Sequence, residues 1–442
     1  MSSFAPELVR YSSILIAFAC VCVLLVKFTQ EYISGTLLGK PITGRFAYPP
    51  QAADVPFVPL GRRKLWTSVL TYYAITRVLI FVGAYCYKAV TTNSKPPLVQ
   101  TFIKMFKIYD TEWYLGIAQY GYRTTGHDRL SICFYPLYPA LVKLFHYVIP
   151  GYFASGVVVS NLFLLVALYY LVRLVEWEYK DSETGILTAK YLLLFPFSFF
   201  FSIAYTESVF IAFTILTFYT LRRKKWLLAG LFAMLAALTR NQGVLLALPI
   251  LIEILYDHEF FRNLRSENTT FRTKLKGIAS RLSALALPPI GIGIYLLVNK
   301  LVTGDWLQFL VYQREHWKQK FGFFADLLAR HTGKIITGET RYAFGIWIPG
   351  ILLFFIALVL LIVTLKKLRL SYAAFAFVYI IISFSPTGLL SGPRYVGGLF
   401  VLYLMGALLL RKAPTIVRSG VDVVLGFSLC FYSVLFVLKF VF

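Results

Sequence analysis

Long apolar runs follow one another along almost the whole chain, with short polar segments between them. A helix needs about 20 apolar residues to cross the hydrocarbon of a bilayer. Several runs are shorter or interrupted by Gly and Pro, which loosens their bounds. The pattern predicts an all-α polytopic membrane protein with about 12 transmembrane segments, at 12–27, 66–90, 152–173, 185–202, 206–221, 226–238, 244–254, 282–301, 347–365, 371–385, 395–410 and 421–439.

Basic residues cluster in polar segments that fall on one predicted side if the spans alternate. These are 62–64, 222–225, 262–281, 366–369 and 411–412, and an excess of Lys and Arg is typical of cytoplasmic loops. Loops 92–151 and 304–345 then face the extracytoplasmic side. Within the first of these outer loops, the apolar piece 130–149 contains Pro136 and Pro139. We therefore expect interfacial helices there, amphipathic or re-entrant, that do not span.

Composition excludes a soluble protein. Hydrophobic residues make up 58% of the chain and charged residues only 14%, more apolar surface than a soluble domain can bury. Lys and Arg number 44 against 20 Asp and Glu, a net charge of +24. In a membrane protein this charge favours anionic lipid or phosphate as partner, and we expect no nucleic acid. We divide the chain into an accessory N-terminal anchor with a cytoplasmic linker, 1–65, and a transmembrane domain, 66–442.

Four polar turns on the predicted outer face carry ionisable residues. Asp110 and Glu112 lie in the first outer loop, within YDTEWYLGIAQYGY at 109–122. Glu207 lies in the second turn, within FPFSFFFSIAYTES at 195–208. Arg240 lies in the third, AALTRNQG at 236–243, and Arg394 lies in the fourth, SPTGLLSGPRY at 385–395. Each has an ordinary explanation: interfacial acids can simply be solvated, Glu207 can favour the helix that follows it, and the arginines can anchor to the interface.

The combination of these groups is more informative than any one of them. A partly desolvated carboxylate can take a proton from a hydroxyl, and a guanidinium can hold a phosphate through paired hydrogen bonds. Glycosyl transfer from a lipid phosphate sugar needs both, because an acceptor hydroxyl loses its proton while negative charge grows on the departing phosphate. The pattern therefore favours that chemistry.

The same segments resemble the PIG-V family, the GPI mannosyltransferase II group and its prokaryotic relatives. The resemblance lies in Asp110 followed by IAQYGY at 117–122 and FYPLYP at 134–139, in YTES at 205–208, and in LTRNQG at 238–243. It is dense from about 110 to 253, thinner at PRY (393–395), and absent over 1–60. The family has a GT-C type helical bundle whose first outer loop carries the catalytic Asp, here within 92–151.

The resemblance implies an inverting mannosyltransferase that uses dolichyl- or another polyprenyl-phosphate mannose and a glycolipid or glycan acceptor, with no cofactor and no metal. With full resemblance, the product is the α-1,6-linked second mannose of a GPI-like precursor. The implied membrane is the endoplasmic reticulum of a eukaryote or the plasma membrane of a prokaryote, with a small membrane partner subunit in some members. It implies that Asp110 is the base, that Glu207 and Arg240 line the acceptor or donor cavity, and that Arg394 is a candidate for the donor phosphate. Glu112, a position not expected to be acidic in the family, is a second candidate for the base. The candidate substrate-binding residues are Trp113, Tyr114, Tyr122, Tyr135, Tyr205, Glu207, Arg240, Asn241, Arg394 and Tyr395.

Some alternatives remain open at this point. The family commonly has Trp before the Asp and often His three residues after it, where this chain has Tyr109 and Trp113; this difference concerns the acceptor more than the reaction. A polytopic transporter or lipid flippase for a phosphate-containing lipid is the main alternative, and a non-catalytic membrane subunit is another. Loop 304–345 is basic although it is predicted to lie outside, so it either covers the donor or is simply solvated.

Overall fold

The computed structural model describes residues 4–33, 57–92, 97–338 and 342–441. About 80% of it is helical, and the described ranges contain no β-strand. Six of the described helices are long and apolar enough to cross a membrane, and several shorter apolar helices accompany them. The prediction of an all-α, multi-pass membrane protein is thereby confirmed.

The helix bounds differ from the predicted spans mainly at their ends. The α-helices are α1 Phe4–Phe28, α2 Arg62–Thr92, α3 Leu98–Phe106, α4 Asp110–Tyr120, α5 Leu137–His146, α6 Tyr152–Tyr179, α7 Ser182–Leu194, α8 Glu207–Leu221, α9 Trp226–Ala237, α10 Ala247–Leu255, α11 His258–Arg265, α12 Phe271–Thr303, α13 Gln308–Trp317, α14 Phe324–Ile336, α15 Ile348–Thr364, α16 Leu370–Ser383, α17 Gly392–Gly397, α18 Phe400–Leu410 and α19 Thr415–Val437.

Several predicted spans break where Pro and polar residues interrupt them. The predicted span 185–202 is α7 followed by a separate 3₁₀ turn, Ser198–Phe201, because Pro196 keeps the preceding residue out of the helical region. Span 244–254 is the 3₁₀ turn Asn241–Leu246 followed by α10, and span 395–410 is α17 followed by α18. The piece 130–149 is helical only over α5; the 3₁₀ turn His127–Cys133 precedes it.

Helix α8 lies at the centre of the bundle. All of its residues except Tyr219 are buried, as expected for a helix that is apolar on every side. It packs between α6 and α9. On the far side of α9, a Cβ on Gly230 would lie 2.7 Å from the Cα of Ala284, so only glycine allows α9 and α12 to approach this closely. Close packing through small residues is typical of helices in membranes.

The N-terminal helix α1 packs on the rest of the bundle. Its buried side chains lie on one face, and they meet α14 and α15. Arg10 pairs with Asp326 of α14 at 3.0 Å, and the Cys20 thiol lies 3.9 Å from the carbonyl oxygen of Leu358. The predicted accessory anchor is therefore packed against the transmembrane domain. Most of the predicted linker, 34–56, lies outside the described residues.

The basic segments meet at one end of the bundle, which we call the basic end. There Arg222 pairs with Glu178 at 2.7 Å and with Glu253 at 3.0 Å, and Arg369 pairs with Glu253 at 3.1 Å. The backbone N–H of Leu60, just before the 62–64 segment, donates to Glu176 at 2.9 Å. These contacts tie α6, α8, α10 and α16 together at the end opposite the four polar turns.

Candidate active site

The four predicted ionisable turns meet in one cluster. Arg394 donates a hydrogen bond from Nη1 to Oδ2 of Asp110 and another from Nε to Oε1 of Glu207. Arg240 donates from Nη1 to the same Oε1. Residues separated by up to 284 positions thus form a continuous chain of two carboxylates and two guanidiniums. We call these four residues the charge cluster.

Helix starts and breaks position the members of the charge cluster. Asp110 and Glu207 are the first residues of α4 and α8, where the helix dipole favours a negative charge. Arg240 stands in the break between α9 and its following 3₁₀ turn, and Arg394 lies in the short α17 just after Pro393. The helices that carry these turns all reach the same end of the bundle, so the loops converge.

Tyr109, directly before Asp110, has an unusual backbone conformation. Its φ of 54° lies in the left-handed region, which is uncommon for a residue with a Cβ. Such conformations persist only where the surroundings fix them, and they are frequent at functional sites. The Tyr109 ring packs edge-on against Phe436 at 5.9 Å, which fixes the chain just before Asp110.

Burial differs sharply along the charge cluster. The side chains of Glu207, Arg394 and Arg240 are almost completely buried, whereas that of Asp110 is 30% exposed. Burial alone would lower the pKa of Arg394, but Glu207 and Asp110 together raise it well above its ordinary value. Two positive and two negative charges cancel, so the cluster has no net charge. Asp110 is its accessible end.

Tyrosine rings line the guanidiniums of the charge cluster. The guanidinium carbon of Arg394 lies 4.5 Å from the ring centroid of Tyr205, and that of Arg240 lies 4.7 Å from that of Tyr395. Tyr114 is buried and packs edge-on against Tyr205 at 6.1 Å. Cation–π contacts of this kind are stronger away from water. The three predicted tyrosines therefore help to fix both arginines.

The other predicted aromatic residues form a wall beside Asp110. Trp113 stacks on Phe134 with centroids 5.5 Å apart and planes 18° apart. The Tyr122 hydroxyl donates to the Phe134 carbonyl oxygen at 2.7 Å, and Tyr135 stacks on Tyr295 of α12 at 4.1 Å. Trp113 is only half-buried. The half-buried ring of Trp113, with Phe134 and His127 against it, thus lies one helical turn after Asp110.

Two predicted site residues lie outside this arrangement. Glu112 and Asn241 are exposed, and neither side chain is paired with any described residue. Glu112 is two residues from Asp110 on α4, so the helix directs it away from the charge cluster. Glu112 is a candidate because it is an acid close to Asp110, and Asn241 because it belongs to the LTRNQG motif; the three-dimensional geometry separates both from the cluster.

Residues 304–338, which we call the strap, contact two of the loops that carry the charge cluster. Helix α13 of the strap lies on the first outer loop, where Trp317 meets Phe134 at 6.3 Å and His316 meets His127 at 5.5 Å. The following residues pair with the turn before Arg394: the backbone N–H of Thr387 donates to Lys320 O at 2.8 Å. The strap therefore joins the loop of Asp110 to the turn of Arg394.

Sequence reasoning missed several residues of this region. Phe134 is the centre of the aromatic wall, and His127 and Trp317 extend the wall to the strap, where both meet His316 of the predicted outer loop 304–345. Arg77 was missed as well: it is buried midway along α2, and within the described ranges its Nε and Nη1 have no hydrogen-bond partner. An arginine inside a predicted span is itself a signal of function.

No family model matches the chain, and no curated protein sequence matches it. The fold alone defines the class of the molecule, an all-α multi-pass membrane protein. The charge cluster, the aromatic wall and the strap define its candidate site.

Proposed function

We propose that the chain is a membrane glycosyltransferase of the PIG-V type, with a GT-C fold of about 12 transmembrane segments. It moves mannose from dolichyl- or polyprenyl-phosphate mannose to a glycolipid or glycan acceptor, with inversion at the sugar. The observation that carries the proposal is the charge cluster: its one accessible member is a carboxylate, Asp110, held by a buried guanidinium beside an aromatic wall.

Asp110 is suited to act as the general base. Arg394 hydrogen-bonds to Oδ2, and no donor from the described part of the chain contacts Oδ1. The guanidinium thus orients the carboxylate while Oδ1 remains available to an acceptor hydroxyl. General-base catalysis by a side chain fixed in this way contributes about 10²–10⁴-fold to a rate.

In the proposed step, the acceptor oxygen attacks the anomeric carbon of mannose from the face opposite the phosphate. Its proton passes to Asp110 as the new carbon–oxygen bond forms. The bond between the anomeric carbon and the phosphate oxygen breaks, and the polyprenyl phosphate leaves with the electron pair. Charge develops through an oxocarbenium-like state, and the donor is the only co-substrate besides the acceptor.

Phosphate binding needs positive charge that the neutral charge cluster does not supply in excess. Arg394 retains Nη2 for one phosphate oxygen. The strap offers further cations: Lys318 and Lys320 are exposed, and neither is ion-paired with another described residue. Lys320 is held beside Thr387, seven residues before Arg394, by the backbone pairing. We propose that the donor phosphate lies between Arg394 and these two lysines.

The sugar and acceptor fit the remaining surfaces. The half-buried face of Trp113, backed by Phe134, suits the flat C–H face of a pyranose. Glu207 is buried and pairs with Arg240 and Arg394, so it supports the pocket from behind the accessible surface. We propose Trp113, Tyr114, Tyr122, Tyr135, Tyr205 and Tyr395 as the walls of this pocket.

The site end of the bundle is proposed to face the extracytoplasmic side, the lumen of the endoplasmic reticulum in a eukaryote. The basic end then faces the cytoplasm, as an excess of Lys and Arg favours. A lipid-linked donor reaches the site from the membrane itself. A small membrane partner subunit and the GPI-like, α-1,6 product belong to the proposal through the family resemblance.

The test is a transfer assay with purified wild type, Asp110→Asn and Glu112→Gln. Labelled mannose on polyprenyl phosphate is offered to a panel of glycolipid acceptors. We expect Asp110→Asn to lose about 10²–10⁴-fold in rate. Glu112→Gln should retain activity because, of these two acids, only Asp110 belongs to the charge cluster.

Thermal unfolding of each variant in the same detergent checks that the proteins are folded. Equal transfer by wild type and folded Asp110→Asn would exclude Asp110 as the base. Absence of transfer by wild type to every acceptor, with the donor demonstrably bound, would contradict the proposed activity.

A further inference from the structure

A cavity with several charged residues in its lining lies at the basic end, far from the charge cluster. It has a volume of about 320 Å³, at the lower end of the range for small-ligand sites. It lies between the short helix α11 and the first turns of α12. Its lining includes Lys224, Asn263, Thr273, Lys274 and Arg281. No step of the proposed reaction uses these residues.

One part of the lining consists of ion pairs in fixed positions: Lys224 pairs with Glu259 at 2.8 Å as well as with Asp257. Asp257 is buried and accepts hydrogen bonds from Arg281 and, at 3.1 Å, from Lys224. Burial alone would raise the pKa of Asp257, but these two partners lower it, so the carboxylate stays charged. The guanidinium of Arg281 also lies 3.7 Å from the ring centroid of Phe260. Aromatic stacking and the ion pairs therefore prevent this part of the lining from collapsing.

The lining also includes a cation that is not neutralised. Lys274 is half-buried, and no carboxylate in the described ranges lies within ion-pair distance of it. Thr273 and Asn263 offer hydrogen-bond donors beside it. An ammonium with neighbouring hydroxyl and amide donors is suited to an oxyanion such as a phosphate.

The charge of the surrounding segment favours an anion further. Residues 262–281 contain six basic residues and one acidic residue, Glu267. Clusters of Lys and Arg directly beside a transmembrane helix are typical of binding to anionic lipids. Helix α12 continues from this cluster into a predicted span, so the cavity lies close to the membrane surface.

An exposed apolar stripe places the cavity at the level of lipid headgroups. Phe271, Leu275, Ile278 and Leu282 of α12 are exposed, and their spacing puts them on one face of the helix. The stripe begins at the first residue of α12 and runs toward the predicted span. In α11 no residue is buried, and its apolar side chains lie on one side, as in helices at a membrane interface.

We infer that this cavity binds the headgroup of an anionic phospholipid. The phosphate is held by Lys274 with Thr273 and Asn263, with Lys224 and Arg281 in the same lining. The acyl chains lie along the exposed stripe of α12. Because the basic end is predicted to be cytoplasmic, the lipid belongs to the cytoplasmic leaflet. This inference does not depend on the proposed transfer reaction.

The test compares the full chain with Lys274→Ala and Lys276→Ala in phosphatidylcholine nanodiscs that contain phosphatidylglycerol. Native mass spectrometry counts the phosphatidylglycerol retained after release from the disc. We expect Lys274→Ala to bind about fivefold more weakly, the effect of one lysine near an anionic surface. Lys276 is the matched control, since it is an exposed neighbour on α12 that does not line the cavity.

Three further results separate the outcomes. Equal loss in both lysine variants would overturn the cavity site and leave only diffuse attraction to basic residues. Full competition by free glycerol 3-phosphate would show a soluble phosphate as the ligand and overturn the lipid assignment. Equal retention of phosphatidylcholine and phosphatidylglycerol by wild type would contradict the inference directly. Unfolding temperatures of both lysine variants in pure phosphatidylcholine, unchanged from wild type, check that the variants are folded.

Discussion

At the level of single residues, Glu207 shows how two roles meet in one carboxylate. It begins α8, where its charge favours the helix, and it also accepts hydrogen bonds from Arg240 and Arg394 on a single oxygen. The sequence alone left these explanations as alternatives. Because both arginines are buried, Glu207 is also what allows two guanidiniums to lie close together. Its removal has a different effect from that of a surface acid.

Glu207→Gln should be strongly destabilising, because it leaves two buried guanidiniums with only Asp110 to balance them. Breaking a buried ion pair by removing one partner costs about 3–5 kcal/mol. The double variant Glu207→Gln with Arg240→Gln removes one charge of each sign, so it should be less destabilised than Glu207→Gln alone. Thermal unfolding of the two single variants and the double variant measures this coupling. Additive losses would contradict a shared charge cluster.

His331 should make stability depend on pH. Its ring is buried in the strap, and burial, with the neighbouring charges of Lys334 and Arg330, lowers its pKa from 6.5 to about 4. The unfolded chain therefore binds the proton more readily than the folded chain. The contribution of neutral His331 to the free energy of unfolding is fully present above pH 6.5. It is lost as the pH falls towards about 4, and the loss amounts to up to about 3 kcal/mol.

The measurement is the unfolding temperature of wild type, His331→Gln and His316→Gln at pH values on both sides of 6.5. His331→Gln should reduce the loss on acidification. His316→Gln should keep the wild-type loss, because His316 is exposed on the same strap. The same acid loss in all three proteins would show that His331 does not titrate as expected.

At the level of elements, apolar length predicted the helices, and local chemistry limited their bounds. Helix α8 was predicted within one residue because an uninterrupted apolar run has few alternatives. The break after α7 was missed, since a Pro inside an apolar run can either kink a helix or end it. Pairing of the strap with Thr387 could not be predicted, because it joins residues 67 positions apart and leaves no periodic pattern.

The strap should loosen when Gly388 is replaced by Ala. Gly388 has a φ of +69°, and a Cβ there would lie 3.3 Å from the carbonyl oxygens of Trp317 and Lys318. Gly151→Ala is the matched control, since Gly151 has a φ of +88° and nothing within 4 Å of the added Cβ. Backbone strain of about 1–3 kcal/mol is common to both variants. Only in Gly388→Ala does the added Cβ also crowd backbone atoms of the strap.

Limited trypsin digestion measures how firmly the strap is held, because Lys318 and Lys320 are exposed cleavage sites within it. We expect faster cleavage after these lysines in Gly388→Ala than in wild type or Gly151→Ala. In a transfer assay the same variant should raise the KM for the donor more than it lowers kcat. Equal cleavage rates in the two glycine variants would mean that the contact does not hold the strap.

At the level of the whole molecule, the two ends of the bundle use buried charge differently. The charge cluster at the site end has an accessible member, Asp110. The network at the basic end joins Arg222 and Arg369 to Glu178 and Glu253, and Ser371 adds a hydrogen bond of 2.6 Å to Glu253. It ties four helices together, so we expect its role to be structural.

Glu253→Gln should lower stability without altering the site. Glu253 is almost completely buried and balances two guanidiniums, so its neutralisation should cost about 3–5 kcal/mol. Arg411→Ala is the control at the same end, because Arg411 pairs with Asp181 and Glu183 but is 34% exposed, and surface pairs contribute only about 0–1 kcal/mol. Unfolding temperatures in one detergent should fall clearly for Glu253→Gln and little for Arg411→Ala.

At temperatures below its unfolding range, Glu253→Gln should transfer mannose with the wild-type KM. A changed KM would show that the two ends are coupled through α8, the central helix that begins at Glu207 and ends next to Arg222.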